Sequence, residues 1–199
     1  MKVCHAIASL FTCIVGVVFV AAAQQQPDAA ILFQQLQAPE TQDRAEQMLL
    51  ARGASDPSVR NYLVEKLPDF IAAGAKKSQA WSSAVRLAGG LKIVEAAPAL
   101  TKWVAKDEAG DTSIGVHLRL QDDLAGAALV QIGDPAVPAI ATALESAPPE
   151  QRLKLYLALN LIDSPKAKAT MISRLNREDD PHCNDVLTSL IRHRINSTH

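Results

Sequence analysis

The chain has 199 residues, a mass of 21.3 kDa and a formal charge of −1, and 48% of its residues are hydrophobic. That apolar share excludes a disordered chain, and the near-neutral balance excludes a general field for drawing nucleic acid or anionic membrane. Only 4% of residues are aromatic while alanine and leucine abound, which favours helices packed through small side chains over a β-sandwich.

Met1, Lys2 and His5 make a short polar start, followed by the apolar run 6–20 and then Ala21-Ala22-Ala23. The run has the length of a signal-peptide core, and Ala21 and Ala23 are the small residues a signal peptidase requires, so residues 1–23 read as a signal peptide cleaved after Ala23. The rival is an uncleaved membrane anchor, which Ser9 and Thr12 weaken. Cys13 lies inside the run and not after it, which excludes lipidation there. Cleavage removes Lys2 and no acid, so the exported remainder is one unit more acidic than the whole chain. It also removes Cys4 and Cys13, leaving Cys183 as the only thiol; a buried cysteine is the expectation, and a bond to a second chain the alternative.

Residues 24–28, Gln-Gln-Gln-Pro-Asp, form a flexible lead-in, and order begins near Ala29. From there one unit recurs: an alanine- and leucine-rich helix, a break carrying Gly or Asp-Pro, and a second helix with apolar residues three and four apart. A copy supplies Asp56-Pro57-Ser58-Val59 after Ala45, Met48, Leu49 and Gly53. Another carries Ala84, Leu87, Ala88 and Leu91, then Pro98-Ala99-Leu100. The clearest spans residues 124–144, where Gly133 is expected to end one helix in a left-handed conformation, Asp134 to cap the next and Pro135 to occupy its first turn. Val137, Ile140, Ala141 and Leu144 then share one face. A looser copy runs over 153–175 with Ser164-Pro165 at its break, and a final helix at about 181–195 follows Asp179-Asp180, which can cap it.

The motif Ile132-Gly133-Asp134-Pro135-Ala136-Val137-Pro138-Ala139-Ile140 resembles the HEAT-repeat family, including its short bacterial, phycobilin-lyase-type form, and the resemblance covers most of residues 30–195. It implies an all-α fold over 29–199: an α-solenoid of about four antiparallel helix pairs with a terminal capping helix. It also implies a concave surface, lined by the second helices, that binds other proteins.

The stretch 106–116 is longer than a usual inter-repeat turn and is the expected place of specialisation; alternation over 114–120 leaves an extended piece there open. Familiar catalytic signatures are missing: no Gly-Lys-Ser/Thr phosphate loop, Gly-x-Ser-x-Gly elbow, His-Glu-x-x-His helix or Cys-x-x-Cys pair. His117 near Asp111 and Asp122 has the residue types of an acid/base or metal site, but a solvated loop histidine is the stronger reading. Asp179, Asp180, His182 and Cys183 are read as helix capping and not as a metal site, and Asn196-Ser197-Thr198 is formally a glycosylation acceptor.

Trp81 shares a face with Ala84 and Ala88 and is expected to be buried, whereas Trp103 stands at the edge of the apolar stripe, within reach of the binding surface. Arg60, Glu65, Lys102, Lys106, Glu145, Lys168 and Arg174 fall outside the best apolar positions and read as a solvated, mixed-charge face. The candidate protein-binding residues are Arg60, Lys102, Trp103, Lys106, His117 and Glu145. The expected function is an exported scaffold or assembly factor without catalysis, cofactor or metal, monomeric, binding a protein or peptide and neither nucleic acid nor, after cleavage, membrane. The alternatives are a helical-repeat lyase or hydrolase and a structural module dimerised through Cys183.

Overall fold

A computed structural model of the chain describes residues 28–74, 78–105 and 123–196, without the side chains of 194–196. Among the described residues the fold is all-α, with ten α-helices and no strand. They are α1 (Ala29–Gln35), α2 (Gln42–Ser55), α3 (Pro57–Ala73), α4 (Gln79–Gly90), α5 (Ala97–Thr101), α6 (Leu124–Ile132), α7 (Val137–Leu144), α8 (Pro149–Ile162), α9 (Pro165–Leu175) and α10 (Pro181–Asn196).

The break residues start helices by several different means. Asp56 caps α3 as its carboxylate accepts from the Ser58 amide at 2.9 Å, and Ser78 caps α4 by accepting from Trp81 N at 3.1 Å. Asp180 caps α10, accepting from Cys183 N at 2.8 Å. Asp134 departs from expectation. It opens a 3₁₀ turn, Asp134–Ala136, and makes no side-chain cap; its carboxylate instead accepts from the Ser164 hydroxyl, while Ser164 caps α9 by accepting from Ala167 N at 3.0 Å. The turns that precede α7 and α9 are thereby joined. Gly133 has φ 80° and ψ −144°, a positive φ as expected but with extended ψ and not the left-handed helical value. A second 3₁₀ turn, Val94–Ala96, precedes the short α5.

Alternate helices pack on one another: α2 on α4, α4 on α6, α6 on α8 and α8 on α10, beside α3 on α5, α5 on α7 and α7 on α9. Contacts of α2 with α3, α3 with α4, α5 with α6, α7 with α8 and α8 with α9 join these two rows. The recurring apolar positions supply the seam, since Ala45, Leu49, Ala84, Leu87, Ala88, Leu91, Val137, Ile140 and Leu144 are all buried, whereas Ala141 is only half-buried. Each fully buried leucine contributes about 1.5–3 kcal/mol. Small residues let α4 and α6 approach closely: a Cβ at Gly89 would lie 3.0 Å from Ala128 Cα and 2.4 Å from Gln131 Oε1. Polar contacts also cross this core. Gln42 Nε2 donates to Ser83 Oγ at 2.8 Å, and Glu46 on α2 accepts from Ser83 at 2.5 Å and from Arg86 on α4 at 2.6 and 2.7 Å.

Candidate functional site

Along the row α3, α5, α7, α9, a cleft of about 390 Å³ opens between α5 and α7. Its apolar wall is Pro98, Ala139, Ala143 and Ala147, and its polar wall is Thr101, Lys102, Thr142, Ser146 and Gln151. Pro98 and Ala139, from the repeated Pro-Ala-Leu and Pro-Ala-Ile segments, supply part of its small-residue wall, while α5 and α7 pack on each other. Two of the polar groups are already engaged in holding the wall: the Thr101 and Thr142 hydroxyls donate to the carbonyls of Pro98 and Pro138 at 2.9 and 3.0 Å.

Lys102 is the C-cap of α5 and is exposed at this cleft, and no described residue forms an ion pair with it. The turn that carries it is pinned on both sides. Gln151 Nε2 donates to Thr101 O at 2.5 Å, and Trp103 Nε1 donates to Ile71 O at 2.7 Å. Ala105 N then donates to Asp123 at 2.9 Å, and the same buried carboxylate caps α6 by accepting from Gly126 N at 2.9 Å. Asp123 therefore ties together the two ends of chain that flank residues 106–122.

Trp103 is half-buried, and its ring meets that of Trp81 edge to face at 5.5 Å between centroids. Trp81 is 2% exposed and donates from Nε1 to Ile71 O at 3.3 Å, so both indoles share one carbonyl near the end of α3. This joint holds the Lys102 turn and makes Trp103 part of the packing. Glu145, the C-cap of α7, is exposed and turned toward α9, where Arg174 and Arg177 meet it at 2.9 and 3.6 Å. Arg60 is half-buried in the first turn of α3, the opposite end of its helix from the C-cap positions of Lys102 and Glu145. Lys106, His117, Asp111 and Asp122 lie outside the described residues, as do residues 1–27, where a signal peptide is expected, and the tail from Ser197.

Arg174 corrects the solvated-face reading, because it is 7% exposed and clamped between α8 and the end of α7. Around it lies a buried polar cluster that residue spacing did not reveal. Arg152 pairs with Glu178 at 2.8 Å and Asp179 at 2.9 Å, and the Tyr156 hydroxyl donates to Glu178. Burial, with Glu178 beside it, pushes the Tyr156 phenol up to about 12. Cys183 is fully buried and donates to Pro149 O at 3.4 Å; burial and then the Asp180 carboxylate raise its thiol to about 12. A thiol so placed reaches a second chain only if α10 moves away, which tells against the covalent dimer. Among the described residues no three or more His, Cys, Asp or Glu side chains gather as a metal site, and no single helix is long and apolar enough to cross a membrane.

Compared with family models, curated proteins and solved structures, the chain gives no match to any of them.

Proposed function

We propose that the chain is an exported, non-enzymatic α-solenoid of HEAT-like helix pairs that binds a segment of another protein as a scaffold or assembly factor. The packing supports the fold part of this reading: α2, α4, α6, α8 and α10 follow one another in one row and α3, α5, α7 and α9 in another, and contacts of α2 with α3 and of α8 with α9 join the first and last of the proposed pairs. Each pair leaves an apolar face that only its neighbours cover, which is the physics of a repeat stack. Residues 1–23 support export.

The observation that carries the binding reading is the cleft between α5 and α7, which sits in the second-helix row and presents a lysine on a turn pinned from both sides. A cleft with one apolar and one polar wall, held on packed helices, suits recognition of a peptide segment at a small entropic cost. Crosslinked affinity capture from the producing cell, run in parallel with an Ala143→Trp protein that fills the cleft, tests it. A reproducible partner enriched by the parent and lost by the folded variant supports the scaffold. Equal recovery by both proteins removes the cleft from the binding surface, and enrichment of no partner overturns the reading.

A further inference from the structure

Resting on the scaffold reading, we propose that the cleft between α5 and α7 selects an acidic segment of the partner, with a side-chain carboxylate held at Lys102. Among the described residues Lys102 is the one charged side chain lining the cleft, and none of them forms an ion pair with it. The nearest acid along α7, Glu145, is drawn off by Arg174 and Arg177 on the α9 side, so the wall formed by Ala143, Ser146 and Ala147 carries no negative group. What lines the cleft is a cation beside hydroxyl and amide groups over an alanine floor.

A carboxylate suits this arrangement and an ammonium or guanidinium does not. The ammonium of Lys102 has only donors to offer, and bringing a second cation beside it costs Coulomb energy that no acid among the described lining residues offsets. Ser146, whose hydroxyl both donates and accepts, lines the same cleft. The turn carrying Lys102 is fixed by Thr101, Trp103 and Ala105, so its backbone need not be ordered on binding.

The test uses the purified full chain and three short fluorescein-labelled peptides in which alanine alternates with glutamate, glutamine or lysine, followed by anisotropy at low and raised salt. The glutamate peptide is expected to bind about tenfold more tightly than the glutamine peptide, with the advantage shrinking as salt rises. Lys102→Gln should abolish that advantage and Lys102→Arg should restore most of it. Equal binding of the glutamate and glutamine peptides overturns the inference, as does an advantage that survives Lys102→Gln. If all three peptides bind alike and Ala143→Trp abolishes them, charge selection fails while the scaffold reading stands. No binding by any peptide overturns the acidic-segment inference, and the capture experiment then decides the scaffold reading separately.

Discussion

Ile71 O is shared by two indoles and by the amide of Gly74, at 2.7, 3.3 and 3.2 Å, which makes one carbonyl a junction for α3, α4 and the turn after α5. Trp103→Phe keeps the ring contact and loses one hydrogen bond, for an expected cost of about 1 kcal/mol in urea unfolding. Trp103→Ala also loses the ring and should cost about 3–5 kcal/mol. A Trp103→Ala protein as stable as the parent would return this residue from the core to the surface. Glu46 behaves differently because its contribution depends on pH. Burial raises its carboxyl, but the hydrogen bonds from Arg86 and Ser83, with the Arg86 charge, outweigh that and leave it below the ordinary glutamate value. A lowered carboxyl stabilises the fold above its unfolded value, and that stability is lost as the pH falls through the folded one. Glu46→Gln should therefore unfold at lower urea than the parent at neutral pH, by about 1 kcal/mol, and the gap should narrow in acid.

At the scale of helices, the close approach of α4 and α6 and the capping of α10 are the exposed points of the design. Gly89→Ala pushes a Cβ against the Ala128 backbone, which cannot yield as a flexible side chain would, and an overpacking cost of about 1–3 kcal/mol should appear in thermal unfolding. Asp180→Ala removes the cap on α10, worth about 1 kcal/mol. Amide hydrogen exchange through α10 should quicken by about fivefold as the helix opens locally, a readout that the loss of the carboxylate beside the Cys183 thiol does not disturb. The helices were legible in part: Asp56-Pro57 and Ser164-Pro165 mark the starts of α3 and α9, and the last helix was expected at about 181–195, whereas 3₁₀ turns precede α5 and α7 where punctuation alone suggested a direct start. Asp134 was misplaced for a physical reason: a capping aspartate and one that reaches Ser164 in the next break look the same in sequence, and only tertiary geometry separates them. Of the site residues, Lys102 and Glu145 could be placed on the second helices from periodicity. That Trp103 would turn inward, and that Arg174 would be buried beside Tyr156, depended on neighbours distant in sequence, to which helical spacing is blind.

For the whole molecule, the packing of each helix mainly on its near neighbours means that damage should stay near its origin. Contacts run α2 to α4, α4 to α6, α6 to α8 and α8 to α10, so α2 has no substantial contact with α8 or α10 through which to support them. Arg152→Met is the sharpest probe, because it leaves Glu178, whose side chain is fully buried, without its guanidinium partner. Stranding a buried charge costs about 3–5 kcal/mol. In a molecule with one shared core, that loss would lower the protection of every slow amide together. In a stack governed by neighbours, it should instead raise hydrogen exchange through α8, α9 and α10 while the amides of α2, α3 and α4 keep most of theirs. Pulsed exchange read by mass spectrometry separates the two patterns. A uniform loss across all helices would show that the cooperative unit is the whole chain, and the repeat-stack account of its stability would have to be abandoned.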